Sequence, residues 1–108
     1  MARKKIYEGT KEEVNYFTHI KAKANTRGIS FNLDFRKTMD LLIKQDNKCN
    51  LSNIEISLEE KTASLDRKDS SKGYTIRNVQ WIHRNINYMK GNSSDEDTKK
   101  FIQQIKDN

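Results

Sequence analysis

Asp66 and Asn87 are the residues of this sequence whose types and spacing best suit joint chemistry. Thr62 to Asp66 alternates, with Ala63 and Leu65 on one face and Thr62, Ser64 and Asp66 on the other. That is the period of a half-buried strand. A polar run follows from Arg67 to Arg77, with Gly73 as its one free turn-maker; it is too long for a tight hairpin turn. Asn78 to Ile82 alternates again, placing Val79 and Trp81 on one face. Ile82, Ile86 and Met89 then recur at steps of four and three, a helical stripe. The order is strand, long loop, strand, helix. His83, Asn87 and Lys90 fall on a helix face about 100° from that stripe. If the helix packs across the hairpin by its stripe, Asp66 and Asn87 converge at the edge of the packed surface. A carboxylate and an amide oxygen are hard ligands that suit Mg²⁺ or Mn²⁺. Mg²⁺ takes one or two protein carboxylates and keeps waters and phosphate oxygens. Arg67 and Lys90 beside them suit a phosphodiester.

The same residues carry a family resemblance. Ser64-Leu65-Asp66-Arg67, Gly73-Tyr74, Asn78, Gln80-Trp81, Asn87 and Met89-Lys90 resemble, at matching spacing, the HNH endonucleases, also called ββα-metal or His-Me finger nucleases. The likeness is to their phage and restriction-type branch. Many fixed residues at fixed spacing make a more specific signal than a lone glycine-rich motif. The likeness covers roughly the last half of the chain. Upstream, Cys49 to Ile56 loosely follows a Cys-x-Leu-Thr-Gly-x-x-Ile segment of that branch, with Asn53 where glycine is usual. Asparagine tolerates the same left-handed backbone. The resemblance implies a ββα core, divalent-metal-dependent hydrolysis of phosphodiesters, and DNA as substrate, double-stranded by analogy. Asp66 and Asn87 are then the expected metal ligands.

One position departs from the family pattern. A histidine usually follows the metal-binding aspartate and serves as general base; here Arg67 stands there. Arginine, with a pKa above about 12, cannot take a proton at neutral pH. It is expected to bind the scissile phosphate instead. Three residues are candidates for activating or acting as the nucleophile. His83 precedes Asn87 by one turn, and imidazole is the side chain most often used as a general base. Tyr74 lies in the loop facing the site. His19 reaches the site only if the first helix folds over it. Asn78 is expected to clamp the loop by hydrogen bonds.

The chain has 108 residues, the size of one domain, with 33% hydrophobic and 33% charged residues. Its core must be small, so flanking helices are needed to complete a ββα unit. The 21 basic against 15 acidic side chains give a formal +6, which suits a polyanionic partner. Charge alone reads first as a lysine-rich solvated surface. The distribution is more telling: Arg67, Lys68, Lys72, Arg77, Arg84 and Lys90 stand against Asp66 and Asp69 between positions 66 and 91. Lys68, Lys72, Arg77, Arg84 and Lys90 are thus expected to hold a nucleic-acid backbone. The single cysteine, Cys49, excludes an internal disulfide and a Cys-x-x-Cys zinc site. It reads as a small buried apolar residue. No apolar run approaches a membrane span and the N-terminus has no signal-peptide core, so a cytoplasmic setting is the default.

The remaining elements flank that core. Ala2 to Lys5 is basic, either a DNA-touching arm or a frayed end. Thr10 and Glu13 form a capping box for a helix with Val14, Phe17, Ile20 and Ala24 inward, stopped at Gly28. Its lysines read first as a solvated face. His19 borders the apolar stripe. Phe31 and Leu33 anchor a short extended segment. Asp34 caps a second helix to about Gln45, with Phe35, Met39, Leu42 and Ile43 buried. Ser94 caps a last helix with an acidic start, docked by Phe101, Ile102 and Ile105. The expected fold class is α+β in one domain, 1–108: a helical part at 1–61, a hairpin-plus-helix core at 62–91 and a C-terminal helix at 92–108. A double-strand break from one such site would call for a homodimer.

Overall fold

The computed structural model describes residues 9–108. The basic stretch Ala2 to Lys5 lies outside the described residues. Helix α1, Lys11–Thr26, begins at Thr10. The Thr10 hydroxyl accepts the Glu13 N–H, and the Glu13 carboxylate accepts the Thr10 N–H. That reciprocal box satisfies two end groups that the helix leaves without partners. Gly28, at φ +68°, turns the chain out of the helix. Phe17 and Ala24 are its buried residues.

A two-residue strand β1, Phe31–Asn32, leads to α2, Phe35–Lys44. The Asp34 carboxylate caps α2 by accepting the Lys37 N–H at 2.9 Å. Phe35, Thr38, Met39 and Leu42 face inward. Ile43, placed on that face by the sequence, is 66% exposed. Eight positions after Phe35, it falls about 80° around the helix, on the solvent flank. Asp46 and Asn47, both at positive φ, end the element. Residues 45–62 are turns, held by one antiparallel bridge between Lys48 and Glu55. Within them Asn53 adopts φ +70°.

Strand β2, Ala63–Arg67, pairs antiparallel with β4, Val79–His83, from Ala63↔His83 to Arg67↔Val79. Inside the intervening loop, β3, Tyr74–Thr75, pairs in parallel with β1. A Cβ on Gly73 would come within 2.7 Å of the Ser30 carbonyl oxygen. Only glycine lets the loop approach that closely and the Tyr74 N–H donate to Ser30 O at 2.8 Å. β4 passes directly into α3, Arg84–Lys90, and after a turn α4 runs Asp95–Lys106. The described chain is α+β, with four helices and two small sheets.

The core gathers Phe17, Phe35, Met39 and Leu42 of the two N-terminal helices against Leu65, Val79 and Trp81 of the hairpin. Trp81 has no exposed surface, and its indole N–H donates to Thr38 O at 2.9 Å. That bond removes the cost of burying the N–H and ties β4 to α2.

Two expectations about packing do not hold. Ile82, read both as the last residue of the strand and as the first of the helical stripe, belongs to the strand alone, because α3 begins only after the His83 cap. Met89 is 40% exposed. The buried residue of α3 is Lys90, so this helix docks through a polar group as well as through Ile86, which is partly buried against the core. On α4 only Thr98 and Ile102 are buried, while Phe101 and Ile105 stay about half exposed.

Candidate functional site

Alternation on β2 sends Ser64 and Asp66 to one face, and α3 lies across it. Asn87 donates its amide N–H to Ser64 Oγ at 2.7 Å, and the Lys90 ammonium meets Asp66 Oδ2. Three residues along the helix thus match two along the strand, a rise of about 4.5 Å against about 6.7 Å. Both contacts follow from residue period once α3 runs alongside β2.

The Asp66 end is closed. Asp66 is 8% exposed. Its Oδ2 also accepts from Gln80 Nε2 at 2.9 Å. Lys90 uses all three of its donors: Asp66, Asp95 at 2.9 Å, and the Arg67 carbonyl at 3.2 Å. Gln80 is also fully used, donating to Asp66 and Asp95 and accepting from Asn50 Nδ2. Among the described residues no buried side-chain nitrogen or oxygen lacks a partner. Burial disfavours the Lys90 charge, but hydrogen bonds and attraction from Asp66 and Asp95 outweigh it and hold the ammonium above the usual lysine range. Lys90 was expected to grip a nucleic-acid backbone; its side chain is 2% exposed and instead joins two carboxylates. Gln80, quoted only as part of the family pattern, and Asp95 were given no site role from the sequence. Asp95 read as a helix-start acid that complements the dipole. The signal for it was Gly91, which at φ +53° turns the chain back between Lys90 and α4.

The loop beyond Asp66 is braced from within. Arg67 Nη1 donates to the carbonyls of Ser70 and Lys72, both at 2.9 Å. Its guanidinium lies 5.4 Å from the Tyr74 ring centre, and Phe31 packs on that ring at 5.5 Å. Asn78 spans the loop, accepting from Asp69 N–H and donating to the Asp69 and Gly73 carbonyls. Asp69 accepts the Ser71 hydroxyl and N–H, which hold its carboxyl below the usual range. His83 caps α3, its Nδ1 accepting the Asn85 N–H at 3.0 Å.

The expected backbone-gripping cations separate into groups. Lys68, Lys72 and Arg77 are exposed around the loop end. Arg84 is exposed at the other end of the hairpin, about 13 Å of strand away. There, α1 crosses the free edge of β2. Tyr16 accepts the Leu65 N–H at 2.9 Å and stacks 5.5 Å from Trp81. Burial raises the Tyr16 phenol above its usual range, against the lowering effect of Leu65 and Ser64. Tyr16 was missed from sequence because its partner is a backbone N–H 49 positions away.

Between α1 and this edge lies an open cleft of about 560 Å³ whose walls include Lys11, Tyr16, His19, Lys61, Ser64 and Arg84. A second cleft of about 670 Å³ lies past Leu58 and is lined by Glu13, Asp46, Glu55, Glu59 and Glu60. His19 shares a cleft with Ser64, the partner of Asn87. Cys49 is buried at 2% exposure and belongs to the core.

Two side-chain oxygens at the site are of the type that a hard divalent ion takes. Asp66 Oδ1 and Asn87 Oδ1 accept no hydrogen bond from the described residues, whereas Asp66 Oδ2 and the Asn87 amide nitrogen are engaged. One carboxylate and one amide oxygen are the protein share that Mg²⁺ or Mn²⁺ takes. Lys90 already neutralises part of the Asp66 charge, which weakens the pull on a cation. Among the described residues no three His, Cys, Asp or Glu side chains group as a metal cage. No helix among them is long and apolar enough to cross a membrane. Compared with known protein families, with curated proteins and with solved structures, the chain matches none.

Proposed function

We propose that this chain is a divalent-metal-dependent endonuclease of the HNH type that hydrolyses DNA phosphodiesters, of phage, homing or restriction kind. The observation that carries the reading is the meeting of Asn87 and Lys90 with Ser64 and Asp66 across more than 20 positions of sequence. The spacing pattern links those residues, and the fold brings them onto one strand face.

In this reading Asp66 and Asn87 offer their Oδ1 atoms to Mg²⁺ or Mn²⁺. The bound ion supplies Lewis-acid polarisation of the phosphodiester and stabilisation of the leaving 3′ oxygen. Lys90 and Gln80 hold the Asp66 carboxylate in one orientation. Arg67 holds the loop with one guanidinium nitrogen and offers its remaining donors to the scissile phosphate. His83 or Tyr74 activates the nucleophile. His83 keeps Nε2 available, since only Nδ1 serves the helix cap. Lys68, Lys72 and Arg77 steer the DNA backbone to the loop end. One such site cuts one strand, and two in a homodimer cut both.

A second reading has a specific observation in its favour: Asp66 is already paired with an ammonium. The same fold then serves as a catalytically silent nucleic-acid-binding module. Supercoiled plasmid incubated with EDTA, Mg²⁺ or Mn²⁺, beside an Asp66→Ala variant, separates the two. Metal-dependent nicking that the variant loses supports the nuclease. Salt-sensitive binding without cleavage under any metal leaves the binding module.

A further inference from the structure

We infer that the cleft between α1 and the free edge of β2 is a phosphodiester-binding subsite. It rests on the nucleic-acid reading above, but not on catalysis. Four observations converge on it. The cleft is an open concavity of about 560 Å³. Its ionised walls are Lys11, Lys61 and Arg84 against Glu12 alone, with His19 beside them. No hydrogen bond or ion pair with a described residue engages the charged ends of Lys11, Lys61 or Arg84, or the His19 imidazole. Cations that the fold does not consume are available to an anion. Last, Ser64 forms part of the wall and accepts from Asn87, so the cleft lies one hydrogen bond from the nuclease-pattern residues.

The neighbouring cleft sharpens the assignment. It shares Leu58 but carries five carboxylates, so an anionic strand is admitted on one side of the 57–62 turn and repelled on the other. The ligand that fits the open cleft is a strand backbone: successive phosphates for separated cations, with imidazole and hydroxyl groups as hydrogen-bond partners.

This placement gives His19 a role the sequence did not settle. Its imidazole faces the bound phosphate, while Lys61 and Arg84 supply the salt-dependent attraction.

The test uses the full chain in EDTA, so that no cleavage is needed. A fluorescent 12-base-pair duplex is titrated by anisotropy across salt concentration. The Lys61→Ala/Arg84→Ala double variant is compared with a Lys44→Ala/Lys106→Ala double variant, which removes equal charge elsewhere. For the cleft variant the salt slope falls by about two. Its loss of affinity between about 50 and 200 mM salt shrinks by about tenfold relative to wild type. Equal behaviour of the two variants overturns the inference. The chain has two histidines, His19 and His83, so imidazole NMR signals are assignable with one His19→Gln sample. Addition of duplex shifts the His19 signals; unmoved His19 signals in a bound complex also overturn it. A wild type that binds through the cleft yet cuts nothing refutes only the nuclease. A wild type that cuts while the cleft variants bind unchanged refutes only the cleft.

Discussion

Beneath α3 lies a closed polar cluster, and beside α1 lies an open polar cleft; both draw on the same strand, β2. In the cluster, Gln80 and Lys90 both donate to Asp66 and Asp95, and every Lys90 donor is used. In the cleft, Lys11, Lys61, Arg84 and His19 have no such partners among the described residues. The difference teaches that charge type does not fix a residue's work. Lys90 and Arg84 are both cations of the same helix. One faces Asp66 across a packed surface and becomes internal; the other points past the hairpin end and stays available. A buried charge left alone is costly, so the fold keeps Lys90 paired.

Breaking the cluster has the largest expected effect. Lys90→Ala leaves two carboxylates facing each other without a counter-charge and lowers stability by about 3–5 kcal/mol, read by urea denaturation. If Lys90 were a surface DNA contact, the urea midpoint would stay put and only the salt slope of binding would change.

Tyr16→Phe keeps the ring against Trp81 but leaves the Leu65 N–H without its acceptor, at a cost of about 1–3 kcal/mol. An unchanged melting temperature would place the α1–β2 junction elsewhere than at this bond.

Lys90 and Tyr16 also set an alkaline limit. Both are raised above their ordinary values of 10.5 and 10.0. Folding therefore favours the protonated form of each. Their contribution is complete below pH 10 or so, and declines as pH rises and the unfolded chain loses these protons more readily. Thermal melts from about pH 8 to about pH 11 should show a decline, shallower in Tyr16→Phe. A flat profile throughout would contradict both buried environments.

His83→Ala removes the α3 cap and is expected to cost about 1 kcal/mol. If His83 also activates the nucleophile, cleavage falls far beyond what the lost stability explains, and the acid limb of the pH–rate profile moves.

The smallest stability change belongs to the cleft. His19→Ala should stay within about 0.5 kcal/mol of wild type, since the imidazole makes no hydrogen bond to a described residue. A large destabilisation would show that His19 is structural and that the cleft is closed in solution.

Much of the architecture was legible locally. Thr10 with Glu13, Asp34 and Ser94 marked three helix starts because a cap is a contact within three or four residues. The two core strands were readable within a residue from alternation at 62–66 and 78–82. Asn53 stood for a left-handed turn and adopts one. The failures are equally physical. Helical spacing from Ile82 to Met89 suggested an apolar stripe, but the strand claims Ile82 first, through its pairing with Ser64. β3 was invisible because its two residues are extended only by pairing with β1 across 43 positions, Phe31 to Tyr74. The fit of Tyr16, Gln80 and Asp95 to the site was hidden for the same reason.

What the sequence by itself determined was the residue inventory and everything set by short range: caps, periods, turns, and the spacing pattern on which the proposed function rests. Those depend on backbone dihedrals and on neighbours a few positions away. Only tertiary structure decided which charges are consumed and which remain. That depends on whether a side chain loses its water when distant elements pack, and a buried charge survives such packing only with a partner. Lys90 found one in Asp66 and Asp95; Arg84, Lys61 and His19 stay exposed.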